Sequence, residues 1–271
     1  MLKTRIITAV VMLLVFVTAL FLASESVFAL LLAAVVAASA WEWSRLSGIK
    51  DENLQTAYAA AIGLLALVFL YFPQSETFMR WTMLVGFLFW MAVPAIFYLN
   101  PVHEPIVSPN NRLLITGPLV FIICVLGVQF LRSYDGAASP WLLLYSLAIV
   151  WCMDIGAYFA GRRFGKNKLA PSISPGKTWE GVYGGFAVTF VFFLLALIVG
   201  DWPENSTIKL LLATLIAACV SVVGDLYESR VKRAADMKDS SQLLPGHGGV
   251  LDRIDSVLAA VPLFTFLWVW L

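Results

Sequence analysis

Nine runs of about twenty apolar residues, separated by polar connections, constrain this chain more than any other feature. About 20 such residues are needed for a helix to cross the hydrocarbon core of a bilayer. In lipid every backbone N–H and C=O must be satisfied within its own segment, so an apolar run that spans must be helical unless it closes a barrel. The runs lie near 5–24, 27–46, 55–73, 79–99, 113–131, 140–160, 179–200, 207–227 and 251–271. They predict an all-α integral membrane protein, a polytopic bundle of nine transmembrane helices. Charged residues make up 13% of the chain and hydrophobic residues 61%, whereas a soluble domain carries about 25% charge, so a soluble fold is excluded. The first run follows Lys3 and Arg5 in the manner of a signal peptide. Its length, and the second run close behind it, favour a retained helix.

The basic residues fix the expected orientation. With nine spans, Lys3, Arg5, Arg45, Lys50, Arg112 and the connections after spans six and eight all fall on one side. Those two connections contribute Arg162, Arg163, Lys166, Lys168 and Lys177, and Arg230, Lys232, Arg233, Lys238 and Arg253. Fifteen of the 18 Lys and Arg residues thus share a side, leaving Arg80, Arg132 and Lys209 opposite. The positive-inside rule makes the rich side, and the amino terminus, cytoplasmic. The net charge of +1 hides this asymmetry.

Cys124, Cys152 and Cys219 sit in apolar runs without CxxC spacing, which disfavours disulfides or zinc and suits buried small hydrophobes. No fixed-period repeat or paired broken helix marks the halves. Polarity rises toward the carboxyl end, with Glu42 the clearest acid inside an earlier span. Two regions are therefore expected: an amino-terminal scaffold of five helices over 1–135, and a carboxyl-terminal catalytic region of four over 136–271.

Four groups in the second region carry the chemistry. Asp154, in WCMDIGAYFAG, shares a helix face with Tyr158, and an intramembrane carboxylate is functional by default. Its bland alternative is an ion pair with Arg162 or Arg163. SISPGKTWEGVYGG, from Ser172, reads as a Pro-Gly turn presenting Lys177 and Thr178 before span seven, where a lysine and helix-start N–H groups suit phosphate. The complete GxxxxGK[ST] spacing is absent, so GKT alone is weak. Asp225, Glu228, Ser229 and Lys232 fall on one helix face, while Arg230 and Arg233 suit a helix carboxyl end structurally. In PGHGGVLDRID, Asp252 and Asp255 lie three apart on the first turn of span nine. They would cap that helix or, with Asp225, form an oxygen-rich pocket for Mg²⁺, and recurrence of charge across three helices favours the pocket. His247 suits a phosphate contact or a turn equally. Gly246, Gly248 and Gly249 would give backbone freedom and let a ligand approach closely.

The stretch from Ser229 to Asp255 resembles the signature of phosphatidate cytidylyltransferases, or CDP-diacylglycerol synthases. The match falls at Ser229, Lys232, Arg233, Lys238, Asp239, Pro245, His247, Gly248, Gly249, Asp252, Arg253 and Asp255. DIGAYFAGRRFGKNKLAPSISPGKTWEG, from Asp154, and GDLYES resemble two further regions of that family. The first five spans agree only in character, and Ile155 departs from the small hydroxyl residue of many relatives.

This resemblance implies transfer of CMP from CTP to phosphatidate, with release of pyrophosphate, at the cytoplasmic face of a bacterial inner membrane. It implies Mg²⁺ held by Asp225, Asp252 and Asp255 with Asp154 nearby, and leaves room for a second cation such as K⁺. Lys177, Lys238 and Arg253 would bear on the triphosphate or the transition state, with Ser174, His247, Gly248 and Gly249 contributing to nucleotide binding. The expected partners are CTP, phosphatidate, the bilayer and a second copy of the chain, with no nucleic acid. Two alternatives remain at this stage: a CTP-dependent transferase for another lipid, and an ion-coupled transporter.

Overall fold

The computed structural model describes residues 2–99, 105–134 and 139–270. Among them are nine helices: α1 (Leu2–Leu22), α2 (Glu25–Leu46), α3 (Glu52–Tyr71), α4 (Glu76–Leu99), α5 (Asn111–Ser133), α6 (Ser139–Phe164), α7 (Trp179–Val199), α8 (Thr207–Ala234) and α9 (Leu251–Trp270). Eight of them are long and apolar enough to cross a membrane, and in α1 the stretch Val10–Leu22 forms a shorter apolar helix. The all-α membrane fold expected from hydropathy is present. The expected boundary at 135/136 lies outside the described residues.

Helix starts follow local capping chemistry. Asp51 accepts hydrogen bonds from the Asn53 and Leu54 amides at 2.8 and 3.0 Å, and Asn110 accepts from Arg112 and Leu113 at 3.0 and 3.3 Å. Helix ends depart from the expected span ends where charge continues the helix past the apolar run. α6 reaches Phe164 rather than 160, and α8 reaches Ala234 rather than 227. The end of α8 is set by backbone geometry. Asp236 takes a left-handed φ of 57°, its amide donates to Arg233 O, and the Met237 amide donates to Lys232 O. That is a Schellman closure, which turns the chain out of the helix.

Between α6 and α7 lies a small antiparallel hairpin, β1 (Lys168–Ala170) with β2 (Ser174–Thr178), paired Lys168 to Thr178 and Ala170 to Ser174. Pro175 and Gly176 therefore lie within a strand, and the turn expected there falls at residues 171–173. The register shift between the pairs accommodates the extra residues of β2, and a two-stranded edge tolerates a proline that lacks an N–H.

The chain gathers into two compact units interleaved in sequence. One comprises Met1–Glu76, His103–Pro140 and Val231–Ile254. In it α2 packs on α3 and α5. Trp43 Nε1 donates to Leu113 O at 2.7 Å, and the ring meets Phe121 edge-on. Arg132 donates to the carbonyls of Leu20 and Ala23 at the end of α1 and lies 4.2 Å above the Phe28 ring. The other unit comprises Thr77–Val102, Trp141–Arg230 and Asp255–Leu271. Its core includes Tyr145, whose hydroxyl bonds Thr214 Oγ1 at 2.7 Å and whose ring stacks on Phe192.

Candidate active site

In the second unit, α6 and α7 approach so closely that side chains are excluded between them. A Cβ on Gly156 would lie 2.5 Å from Gly184 O, and one on Gly184 would lie 2.1 Å from Ala160 Cβ. Small residues let helix backbones meet in this way in membranes. The crossing brings Asp154 of α6 into electrostatic range of Lys177, the residue two before α7, and of Asp225 on α8. Lys177 Nζ forms an ion pair with Asp225 Oδ2, and Ser229 Oγ donates to Asp225 Oδ1 at 3.2 Å. α8 in turn packs tightly on α9, since a Cβ on Gly224 would meet Asp255 O at 2.6 Å and Ala259 Cβ at 2.9 Å. Asp255 thus lies on the α9 turn that touches the residue before Asp225, and its Oδ1 accepts from the Ser256 amide at 2.7 Å.

The hairpin that delivers Lys177 is pinned at its base by Glu180, a residue not singled out from the sequence. Its carboxylate accepts from the Lys166 amide at 3.1 Å, the Asn167 amide at 3.2 Å and Asn167 Nδ2 at 2.7 Å. An acid in the first turn of a helix preceded by a basic loop was the available signal. The start of α7 is less open to phosphate than expected: Thr178 Oγ1 accepts the Gly181 amide at 3.1 Å, and the Trp179 amide donates to Asn167 O at 3.0 Å. The Lys177 side chain, two residues before that helix start, is paired with Asp225. Ser174 opens β2, away from the helix start.

In the first unit, the segment from Asp236 to Val250 folds as a closed loop. Lys232 Nζ bonds Asp252 Oδ1 at 2.6 Å, and Asp252 Oδ2 accepts from the Ser240 amide and hydroxyl, each at 3.1 Å, and from the Gly249 amide at 2.8 Å. Asp252 therefore closes the loop across its base. The Leu244 amide donates to Gly248 O at 2.9 Å, and the His247 amide to Leu244 O at 2.8 Å. Gly248, at φ 81°, takes a conformation that side chains resist. Arg253 Nε and Nη2 both donate to His247 O, at 2.9 and 2.6 Å. His247 Nδ1 is buried without a hydrogen-bond partner, and Lys238 is exposed. Two elements of the same unit brace the loop: Thr8 of α1 donates to Pro245 O at 3.2 Å, and the Ile106 amide to Ala234 O at 2.8 Å.

Among the described residues, no three His, Cys, Asp or Glu side chains are placed together to hold a metal ion. Asp225 carries a lysine ammonium and Asp252 another, so each is matched by a cation of the protein. The two pairs differ in solvent access. The side chains of Lys177 and Asp225 are 26% and 28% exposed, those of Lys232 and Asp252 only 11% and 7%. The first pair is partly open to solvent, whereas the second is built into the loop.

A protein whose membrane-spanning helices carry lysines, arginines and carboxylates at their ends is equipped to handle a phosphorylated substrate together with a lipid. The chain matches the cytidylyltransferase family over residues 3–271 and belongs to it. It is 40% identical to a phosphatidate cytidylyltransferase of Pseudomonas aeruginosa over 269 residues, covering 99% of this chain and 97% of that protein. The protein of that name from Haemophilus influenzae is 38% identical, with 99% of each chain covered, and that from Staphylococcus haemolyticus 33%, with 98% of each. These names lend no support to ion-coupled transport or to another lipid acceptor.

Proposed function

We propose that the chain transfers the cytidylyl group of CTP to phosphatidate, forming CDP-diacylglycerol and pyrophosphate. The observation that carries the reading is similarity along nearly the whole chain to proteins named for this reaction, in a fold with eight helices fit to span a membrane. A phosphatidate oxygen attacks the α-phosphorus of CTP, the bond from that phosphorus to the bridging oxygen breaks, and pyrophosphate leaves. A phosphate monoester has its second pKa at about 6, so the nucleophile is already anionic near neutrality and no general base is required. The barrier is dominated by repulsion between polyanions, which positive groups relieve.

Lys177 is the group best placed to move from Asp225 to the triphosphate, because its pair is about a quarter open to solvent. Lys238 bears on the phosphates from the loop and Arg253 from the first turn of α9, with His247, Gly248 and Gly249 shaping the loop and Ser174 offering a neutral donor from the hairpin. Mg²⁺ is the proposed cofactor. The ammonium on Asp225 marks a place where a cation fits, and that carboxylate, with Asp154 in electrostatic range and Asp255 on the adjoining turn of α9, would offer hard oxygens to that ion. When bound it would neutralise charge on the reacting phosphoryl group. A monovalent ion such as K⁺ is proposed as second cation. Asp252 serves the loop instead, on the strength of its partners. Fifteen basic residues on one side support a cytoplasmic site in a bacterial inner membrane, and family resemblance supports a homodimer.

The test is incubation of the purified protein in detergent with Mg²⁺, labelled CTP and separate lipid acceptors, followed by detection of a CMP-bearing lipid and pyrophosphate. Product is expected with phosphatidate. Asp255→Asn should remain folded and inserted yet lose about 10²-fold or more in turnover, the scale on which removing one electrostatic stabiliser acts. Full activity of that variant with ordinary Mg²⁺ dependence would overturn the role given to Asp255, and CTP turnover only with another acceptor would overturn the substrate.

A further inference from the structure

Glu42 lies in α2, far in sequence from the groups that meet the nucleotide, and its side chain is fully buried. A buried carboxylate is retained where its lone pairs are engaged. Here each oxygen receives one hydroxyl and one backbone N–H. Oε1 accepts from Ser241 Oγ at 2.5 Å and from the Val250 amide at 2.9 Å. Oε2 accepts from Ser240 Oγ at 3.0 Å and from the Leu251 amide at 2.7 Å. The serines lie where the chain enters the loop and the two amides where it leaves, so one side chain ties both strands of the loop to α2. Leu251 is the first residue of α9, whose unpaired amides favour a negative charge.

Three further contacts show that the loop is shaped around this carboxylate. A Cβ on Gly249 would lie 2.5 Å from Glu42 Oε1 and 2.0 Å from Ser240 Oγ, so the close approach this glycine permits is that of Glu42 and Ser240. Arg45, one turn along α2, donates to Ser240 O at 3.4 Å. The Ser240 hydroxyl, with a single proton, is shared between Glu42 and Asp252, which holds the loop from its other side.

We propose that Glu42 is a positioning residue for CTP: it fixes in one arrangement the loop bearing Lys238 and His247, to whose His247 carbonyl Arg253 of the first turn of α9 is bound, acting through that loop and touching no substrate. The inference rests on the cytidylyl-transfer reading. Glu42→Gln is the informative change, because it keeps the volume and replaces one oxygen by an amide nitrogen. The serine hydroxyls can turn to accept from that nitrogen. A backbone N–H cannot, so either amide orientation leaves the Val250 or the Leu251 N–H facing another donor.

The experiment measures KM for CTP and for phosphatidate, together with labelling of a Gln242→Cys reporter by a membrane-impermeant maleimide in the otherwise cysteine-free full-length protein. In Glu42→Gln, KM for CTP should rise about 10- to 100-fold, the range over which loss of a supporting partner acts. KM for phosphatidate should stay within about twofold, and the reporter should label several times faster. A purely structural role would lower the amount of active protein and leave KM for CTP unchanged. Ser241→Ala removes one bond to Glu42 and the acceptor for the Leu243 amide at 3.1 Å, and should shift both readouts the same way by about threefold. An unchanged KM for CTP with unchanged labelling overturns the proposal, in Glu42→Gln or, should that variant not fold, in Ser241→Ala. If the unmodified protein fails to turn over CTP with phosphatidate, the functional reading falls, while the labelling rates still report whether Glu42 holds the loop.

Discussion

Lys177 and Lys232 each hold an aspartate, yet solvent separates what the two pairs can do. The Lys177–Asp225 pair is about a quarter exposed, and such pairs contribute about 0–1 kcal/mol to stability. Lys177→Met should therefore leave thermal unfolding in detergent nearly unchanged while lowering turnover about 10²–10³-fold, as removal of a transition-state donor does. Lys232→Met should do the reverse first. It strands the nearly buried Asp252 carboxylate and should cost about 3–5 kcal/mol, read as a lowered unfolding midpoint. An unchanged midpoint would mean that the Ser240 and Gly249 donors alone satisfy Asp252. All four residues could be picked out from the sequence, because they stand at the ends of long apolar runs, where acids and lysines clustered with glycine are conspicuous. Their pairing could not, since no spacing relates a hairpin lysine to a helix 48 positions later. Glu42 shows the same limit more sharply: an acid within an apolar run was visible, but its partners lie |i−j| = 198 to 209 away.

The helices were legible because lipid leaves a long apolar segment no other satisfied backbone, and their ends were less so because caps and charge set them. α8 continues through VKRA to Ala234, where polar side chains no longer need the bilayer but the backbone still needs its hydrogen bonds. The hairpin was missed because SISPGKT carries turn residues, and only the pairing of Lys168 with Thr178 turns it into a strand. The α6–α7 crossing was half visible as a run of glycines. Its geometry makes a prediction about elements: Gly184→Leu forces α7 away from Ala160 and carries Lys177 from Asp154. Overpacking of this kind costs about 1–3 kcal/mol, so the variant should still insert and fold. Turnover should drop at least about 10²-fold, the penalty for a displacement of about 1 Å in a reacting group. Gly176→Ala is the control. Nothing lies within 4 Å of a Cβ placed there, so it should retain activity in the same assay.

Reaction of a nucleotide with a membrane lipid demands that every charged segment used on CTP open to one compartment. The basic residues meet that demand on paper: the hairpin between α6 and α7 and the loop between α8 and α9 are separated by two spans, an even number, and so share a side. The connection between α7 and α8, which contains Asp201 and Glu204 and has Lys209 as its nearest base, lies an odd number of spans from each. Neither apolar run length nor helix packing determines which side is cytoplasmic; that assignment rests on the charge bias alone. Single cysteines in a cysteine-free background decide it. Asn167→Cys, in the hairpin connection, and Gln242→Cys, in the loop, should react with an impermeant maleimide in inverted inner-membrane vesicles and remain protected in intact spheroplasts. Asn205→Cys should show the opposite pattern. Labelling of 167 and 242 from opposite sides would break the even-span count, and with it the requirement that one compartment supply CTP to both segments. Labelling of both only in spheroplasts would keep the count and invert the molecule, placing Lys177 and Lys238 where cytoplasmic CTP cannot reach them.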